Sequence, residues 1–219
     1  MNESHALVFA IAHEVGNHLG AIRLQAHLLD DDLDARALAL ASVELDTLAG
    51  RAGPLLALIR PLLSSPGTTP PSTPSSVVSG PMWRGLLGGV IDEIRDEGTR
   101  GIRLESKMSV ASDLRAPSAD WLHSLLRTLI GVTLPHVPRG GKLGLALEAH
   151  GDEVVLAIED DGPEEDLGAE TALRGRALAV AIARRLLADL GGRVEWARDA
   201  GRTRLELIFP GADPAAARA

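Results

Sequence analysis

Two apolar seams at the head of the chain constrain its fold more than any other feature. In the first, Val8, Ala12, Val15, Leu19, Ile22, Ala26 and Leu29 recur at spacings of four and three. After the acidic stretch "DDDLD" (Asp30 to Asp34), the pattern resumes at Leu38, Ala41, Leu45, Leu48, Ala52, Leu55, Ile59 and Leu62. This period belongs to helices that lie side by side at shallow angles. The break is short, so the two helices should fold back antiparallel. One such hairpin cannot cover its own apolar face. Two could, as a four-helix bundle, and a homodimer with two-fold symmetry is therefore expected. The alternative is that the hairpin packs on the rest of its own chain. Pro54 and Pro61 fall inside the second helix, where each removes a backbone hydrogen bond and should bend or end it.

Residues 64–81 read "SSPGTTPPSTPSSVVSGP", a composition that cannot sustain a helix or a central strand. They are expected to link a hairpin over residues 1–63 to a larger unit over 82–210, with a frayed tail at 211–219. The larger unit alternates helical and strand patterns. "MWRGLLGGVIDEIRDE" and "ADWLHSLLRTLIGVTL" predict helices, and "IRLESKM", "KLGLALEAH" and "EVVLAIED" predict strands. "GRALAVAIARRLLADL" predicts a helix stopped by Gly191 and Gly192, and "RVEWARD" and "RTRLELIF" predict a closing hairpin about Ala200 and Gly201. The fold class is α+β, with helices on one face of a sheet.

The 219 residues allow a sizeable core, and apolar residues make up 45% of them. Only Phe9, Trp83, Trp121, Trp196 and Phe209 are aromatic, so that core must be aliphatic. A net charge of −8 argues against nucleic acid as a partner. With no cysteine, disulfides, thiolate metal sites and cysteine nucleophiles are excluded. No apolar run approaches the roughly 20 residues of a membrane span, and no signal peptide is evident. The expectation is a cytoplasmic protein with no membrane partner. No metal site is expected either. His13 and His18 are five apart, where helical ligands prefer four, and "DDDLD" lacks the glycine and terminal glutamate of a calcium loop.

Chemistry is concentrated in "AHEVGNHLGAI", Ala12 to Ile22. His13 follows the seam residue Ala12, about 100° further round the helix, and should be presented on its flank. Neutral imidazole is a good nucleophile near pH 7. Asn17, four residues on, shares the face of His13. Glu14 lies on another part of the surface. Gly16 and Gly20 would let a partner helix approach closely, at about 1 kcal/mol of helix propensity each. His5, His18 and His27 read as surface or packing residues, and His123, His136 and His150 suggest no role.

The order of these parts resembles a two-component histidine kinase core, in which a dimerising helical hairpin joins a Bergerat-type ATP-binding α/β sandwich. The resemblance runs from about residue 5 to 210. Its strongest piece is the phosphoacceptor box: His13, Glu14 and Asn17 match, and His18 stands where proline is common. "GRALAVAIARRLLADLGGRVEW" resembles the family's second glycine box with the helix and strand after it. The resemblance implies that Glu14 bonds one ring nitrogen of His13 and leaves the other as nucleophile. It also implies that Asn17 could position a water against a receiver's aspartyl phosphate, a phosphatase activity.

The nucleotide boxes depart from the family. Alignment places Val132 where an asparagine would hold magnesium, and Thr128 at an earlier amide; valine cannot ligate a hard cation. The first glycine box is "DDGPE", where Asp160 and Gly162 survive and Glu164 replaces a glycine, setting like charge against a polyphosphate. In the second, "GRALA", Gly175 survives and Ala177 and Ala179 replace glycines, whose added methyls obstruct a backbone's approach to phosphate. Twelve residues between Gly162 and Gly175 are too few for the usual lid. Arg174 and Arg176 could hold an anion or simply solvate a helix start.

An intact phosphoacceptor box on a decayed ATP domain resembles the architecture of ChpT-like histidine phosphotransferases. These relay phosphoryl groups between response-regulator receiver domains. The expected catalytic set is His13, Glu14 and Asn17, with Asp160, Gly162 and Gly175 as remnants of a nucleotide site. No cofactor is expected on this chain, and magnesium is expected on the partner receiver. The expected partners are receiver domains, a hybrid histidine kinase, and a second copy of the chain. The chain begins at the phosphoacceptor helix, which suits a free-standing relay component. The competing functions are an atypical ATP-dependent kinase and a non-catalytic adaptor that binds a receiver or kinase.

Overall fold

A computed structural model of the protein describes residues 3–28, 35–63, 76–78, 80–96, 101–109, 114–116, 119–163 and 174–210. Leu29, the "DDDLD" turn, Glu164 and the tail after residue 210 lie outside them.

α1 (Glu3–Leu28) and α2 (Ala35–Ala57) form the expected antiparallel hairpin. Pro54 is accommodated inside α2. The helix stops at Ala57, and a short α3 (Ile59–Leu63) resumes it. Pro61 explains the stop, because its missing N–H would have bonded the Ala57 carbonyl.

The buried stripe of α1 differs from the predicted seam. Leu7, Ile11 and Val15 are buried, while Ala12, Leu19 and Ala26 are exposed. The sequence pattern had passed over Leu7 and Ile11. The reason is that α1 is covered from two sides: it packs against α2 and also against the helix Gly175–Asp189 of its own C-terminal unit. The buried stripe is turned toward both neighbours, and the other edge of the apolar stripe is left open. On α2 and α3 the match is closer. Ala52, Leu55 and Leu62 are buried, Ala41, Leu45, Leu48 and Ile59 half-buried, and Leu38 exposed.

The segment 64–81 is not linker throughout. Ser76–Val78 form β1, antiparallel to β3 (Leu114–Ala116), and α4 (Gly80–Asp96) opens with Pro81 in its first turn, where a missing N–H costs nothing. The remainder is a mixed five-stranded sheet. β2 (Arg103–Met108) runs parallel to β4 (Lys142–His150). β5 (Glu153–Asp160), β7 (Arg202–Pro210) and β6 (Arg193–Asp199) follow in that order across the sheet, all antiparallel to their neighbours. α4, α5 (Ala119–Thr133) and α6 (Gly175–Asp189) supply its helical layer.

The core is aliphatic as expected, with one aromatic joint. Trp83 of α4 meets Phe209 of β7 edge-on, with ring centroids 5.5 Å apart. On the far face of the sheet Lys107 pairs with Glu148, Lys142 with Glu105, and Arg204 with Glu159 and Glu206. Such surface pairs contribute little individually. Their aliphatic stems help keep Ala157 and Ile208 from water on the face away from the helices.

Candidate functional site

His13 is exposed on α1, two positions from each of the buried Ile11 and Val15 and so on the other side of the helix; Ala12, from which its exposure was expected, is exposed as well. Asn17, one turn on and also exposed, brings its side-chain Nδ2 to 3.3 Å from the His13 Nδ1. The periodicity of α1 alone sets this pair, since residues four apart stack on one face. An asparagine amide can serve the ring in two ways. Its N–H can donate to Nδ1, with the ring proton on Nε2. Turned over, its oxygen accepts from Nδ1–H, and the Nε2 lone pair faces outward. Gly16 and Gly20 flank the pair with open space around them. The surface around His13 is therefore low and accessible.

Glu14 points elsewhere. Among the described residues the His13 ring is bonded by Asn17, and Glu14 is not its partner. Glu14 is half-buried and lines a cleft of about 210 Å3 between the hairpin and the sandwich. His18 and Arg51 line the same cleft. Burial holds the His18 imidazole below its usual value; Glu14 works against that shift, and Arg51 adds to it. His18, read from sequence as a surface or packing residue, thus stands at a junction.

The opposite wall of the cleft is where the resemblance places a nucleotide. Thr128 and Val132 of α5 line it, as does Gly175 at the start of α6. Their neighbourhood does not fit a nucleotide. Arg176 donates through Nη2 to Asp160 Oδ2 at 2.8 Å, and both side chains are buried. The second glycine box has reached into the first and engaged its carboxylate. Arg176 therefore neither solvates the helix start nor stays available to an anion. Arg174, exposed at the N-cap of α6, makes no capping bond with its side chain. Ala177 and Ala179, which replace glycines, are buried in the core.

The surviving glycines have structural reasons to survive. A Cβ on Gly162 would lie 2.6 Å from Asp160 Oδ1 and 3.1 Å from the His136 carbonyl oxygen. Its N–H donates to Asp160 Oδ1 at 2.8 Å, and its carbonyl accepts from Arg198 at 2.9 Å. Gly175 has φ +53°, in the left-handed region that favours glycine. Asp160 and Gly162 are thus held by the fold's own bonds, and Gly175 serves a turn into α6 that only glycine adopts readily. The Asp160–Arg176 pair was missed from sequence. The available signal was an arginine directly after Gly175 at the start of an otherwise apolar helix.

Arg127 was also missed. It is buried in α5 and pairs with Glu93 of α4 at 3.4 Å, and the same carboxylate takes His123 at 3.1 Å. A lone cation inside "LLRTLIG" was the signal. Among the described residues no cluster of three or more His, Asp or Glu could hold a metal, and no helix is long and apolar enough to cross a membrane.

Comparison with solved structures agrees with this architecture. The histidine kinase AdeS of Acinetobacter baumannii superposes with a TM-score of 0.63 at 14% identity, covering 92% of this chain and 98% of that one. A bacterial phosphotransferase gives 0.54 at 16% identity over 93% and 95%. A histidine kinase from Burkholderia phymatum gives 0.53 at 14% over 97% and 100%. No protein-family model and no curated protein matches the sequence. The chain has the fold of a histidine kinase core, hairpin and sandwich together.

Proposed function

We propose that this protein is a histidine phosphotransferase that passes phosphoryl groups between response-regulator receiver domains through His13, without drawing on ATP. The observation that carries the reading is the exposed His13–Asn17 pair, on a helix whose opposite face is packed. With Nδ1–H held by the Asn17 oxygen, the Nε2 lone pair attacks the phosphorus of a receiver's aspartyl phosphate. The N–P bond forms as the P–O bond to aspartate breaks, and the carboxylate leaves with the electron pair. The ring proton stays on Nδ1. The receiver supplies the magnesium that neutralises the moving charge. The reverse step hands the group to a second receiver.

Two features support a relay over a kinase. The carboxylate of the first nucleotide box is taken by Arg176. Val132 offers no oxygen to magnesium on the cleft wall. We further propose that the working unit is a homodimer. Ala12, Leu19 and Ala26 on α1, with Leu38, Leu56 and Leu63 on α2 and α3, form exposed edges beside the packed stripes. A second hairpin would cover them.

The test is transfer from a labelled receiver. A phosphorylated receiver should label the wild-type chain, and His13→Ala should remove the label while the protein stays folded. Labelling that survives His13→Ala overturns the assignment. Labelling that requires ATP and no receiver would favour a kinase.

A further inference from the structure

Phe9 is a side chain that neither the fold nor the proposed dimer uses. Of the five aromatic residues, Trp83, Trp121 and Phe209 are buried, and Trp196 is capped by the Arg184 guanidinium, 5.0 Å from its ring centroid. Phe9 is 72% exposed, the most open large apolar side chain among the described residues. It stands on α1 opposite the stripe of Leu7, Ile11 and Val15 that the fold buries. It also lies about 60–100° round the helix from Ala12, Leu19 and Ala26, the edge offered to a second hairpin. We propose that Phe9 is the anchor by which a receiver docks, its ring entering an apolar pocket of the receiver beside the phosphorylated aspartate. This role rests on the phosphotransferase reading and adds to it a determinant of which receivers reach His13.

Position ties Phe9 to the reaction. Phe9, His13 and Asn17 follow one another at helical i, i+4 spacing, so they stand in one row, about 6 Å apart along the axis. Helical side chains lean toward the N-terminus. Asn17 leans onto His13 in this way, reaching its Nδ1 at 3.3 Å. The His13 ring leans by the same rule toward the turn that carries Phe9. With Nδ1 held on the Asn17 side, Nε2 is directed away from Asn17, and a receiver that reaches it lies across the Phe9 ring.

A single exposed apolar residue is ordinary. Phe9, however, heads a longer face. Gly16, Gly20 and Leu24 continue it past His13, with open space over both glycines and Leu24 64% exposed. Charge complementarity favours a receiver as the occupant. The chain carries a net charge of −8, yet α1 presents no carboxylate on the face about His13. Glu14 turns into the cleft, and Glu3 lies about 15 Å along the axis. A receiver brings a phosphoryl group and the carboxylates that hold its magnesium, and meets no like charge here. The apolar ring then supplies affinity, since interfaces draw most of theirs from a few buried anchors in which aromatic side chains are enriched.

The test uses the full chain and the receiver domain that labels it fastest, held in its phosphorylated form by beryllofluoride and magnesium. Calorimetry measures binding, and label transfer from the phosphorylated receiver measures KM and kcat. Phe9→Ala should weaken binding and raise the KM about tenfold or more, the loss of one buried ring, with kcat within about twofold of wild type. Phe9→Leu keeps an apolar body and should recover most of the binding. Met82→Ala, at an exposed apolar residue of α4, should lose none. Circular dichroism confirms that each variant is folded. The anchor is overturned if folded Phe9→Ala binds as wild type, or if its kcat falls while KM is unchanged. It is equally overturned if that substitution turns a dimeric chain into a monomer, which would place Phe9 between two copies. Failure of the two readings is distinguishable. A receiver that transfers to His13 and binds Phe9→Ala as tightly as wild type removes the anchor alone, whereas a chain that no phosphorylated receiver labels removes both.

Discussion

At the residue scale, the proposed transfer depends on what His13, Glu14 and Asn17 each touch. Asn17→Ala should leave the fold intact and slow transfer about tenfold, the worth of one hydrogen bond that fixes the ring proton. Initial rates from a phosphorylated receiver measure it. His18 carries a pH signature. Its folded value lies below the unfolded value of about 6.5, so the unfolded chain takes up the proton more readily. Stability should therefore fall as pH drops through the unfolded value toward the folded one, and His18→Gln should flatten the melting temperature over that window. The buried Arg176–Asp160 pair predicts a non-additive cycle. Arg176→Met or Asp160→Asn alone leaves a buried group without its partner and should cost about 3–5 kcal/mol, while the double variant should cost less than their sum. Urea unfolding of the four proteins tests this. The shared face of His13 and Asn17 was legible in the sequence because the helical period fixes it, whereas the exposure of His13 was expected from a seam through Ala12 that the fold does not bury. The partners of Glu14, His18 and Arg176 were not legible. They are set by where the hairpin lands on the sandwich and by contacts between distant strands and helices, which no local spacing encodes.

At the element scale, every helix and strand expected of the C-terminal unit is present, because strict alternation and glycine stops identify them locally. The hairpin was legible in type and only partly in facing. Two adjacent apolar edges run along α1, and the sequence could not say which one its own sandwich would claim. The chain's own packing takes Leu7, Ile11 and Val15 and leaves Ala12, Leu19 and Ala26 open. Strand β1 was hidden inside a Pro-Ser-Thr segment because three residues are too few to show a period. If the open edges meet a second hairpin, Leu56→Glu with Leu63→Glu should convert a dimer into a folded monomer by sedimentation, since both residues are about half exposed in the single chain. An unchanged mass would move the dimer contact elsewhere or remove it. Gly16→Ala has open space for its methyl and should stabilise α1 by up to about 1 kcal/mol. Gly16→Leu should keep that stability but hinder a receiver's approach to His13, seen as slower transfer at low receiver concentration.

At the scale of the whole molecule, a kinase-core fold carries its own side-chain bonds where the resemblance places a nucleotide. Arg176 fills the role of a partner for Asp160, Gly162 is wedged between Asp160 and the His136 carbonyl, and the hairpin rests on the wall that carries Val132. The chain should therefore show no rise in melting temperature with ATP and magnesium, because a ligand stabilises only the state that binds it. The departures of the glycine boxes and of Val132 from the kinase pattern were legible in the sequence, since they are changes of residue type. The Arg176–Asp160 pair was not legible, because it depends on a side chain reaching across the sandwich. Relay through His13 is tested most simply by a two-step chase without nucleotide. The chain is loaded from one phosphorylated receiver, separated from it, and mixed with a second, unphosphorylated receiver and magnesium. The label should sit on His13 after the first step and move to the second receiver's aspartate. A label found on another residue of the chain, or one that never leaves the chain, would contradict the relay.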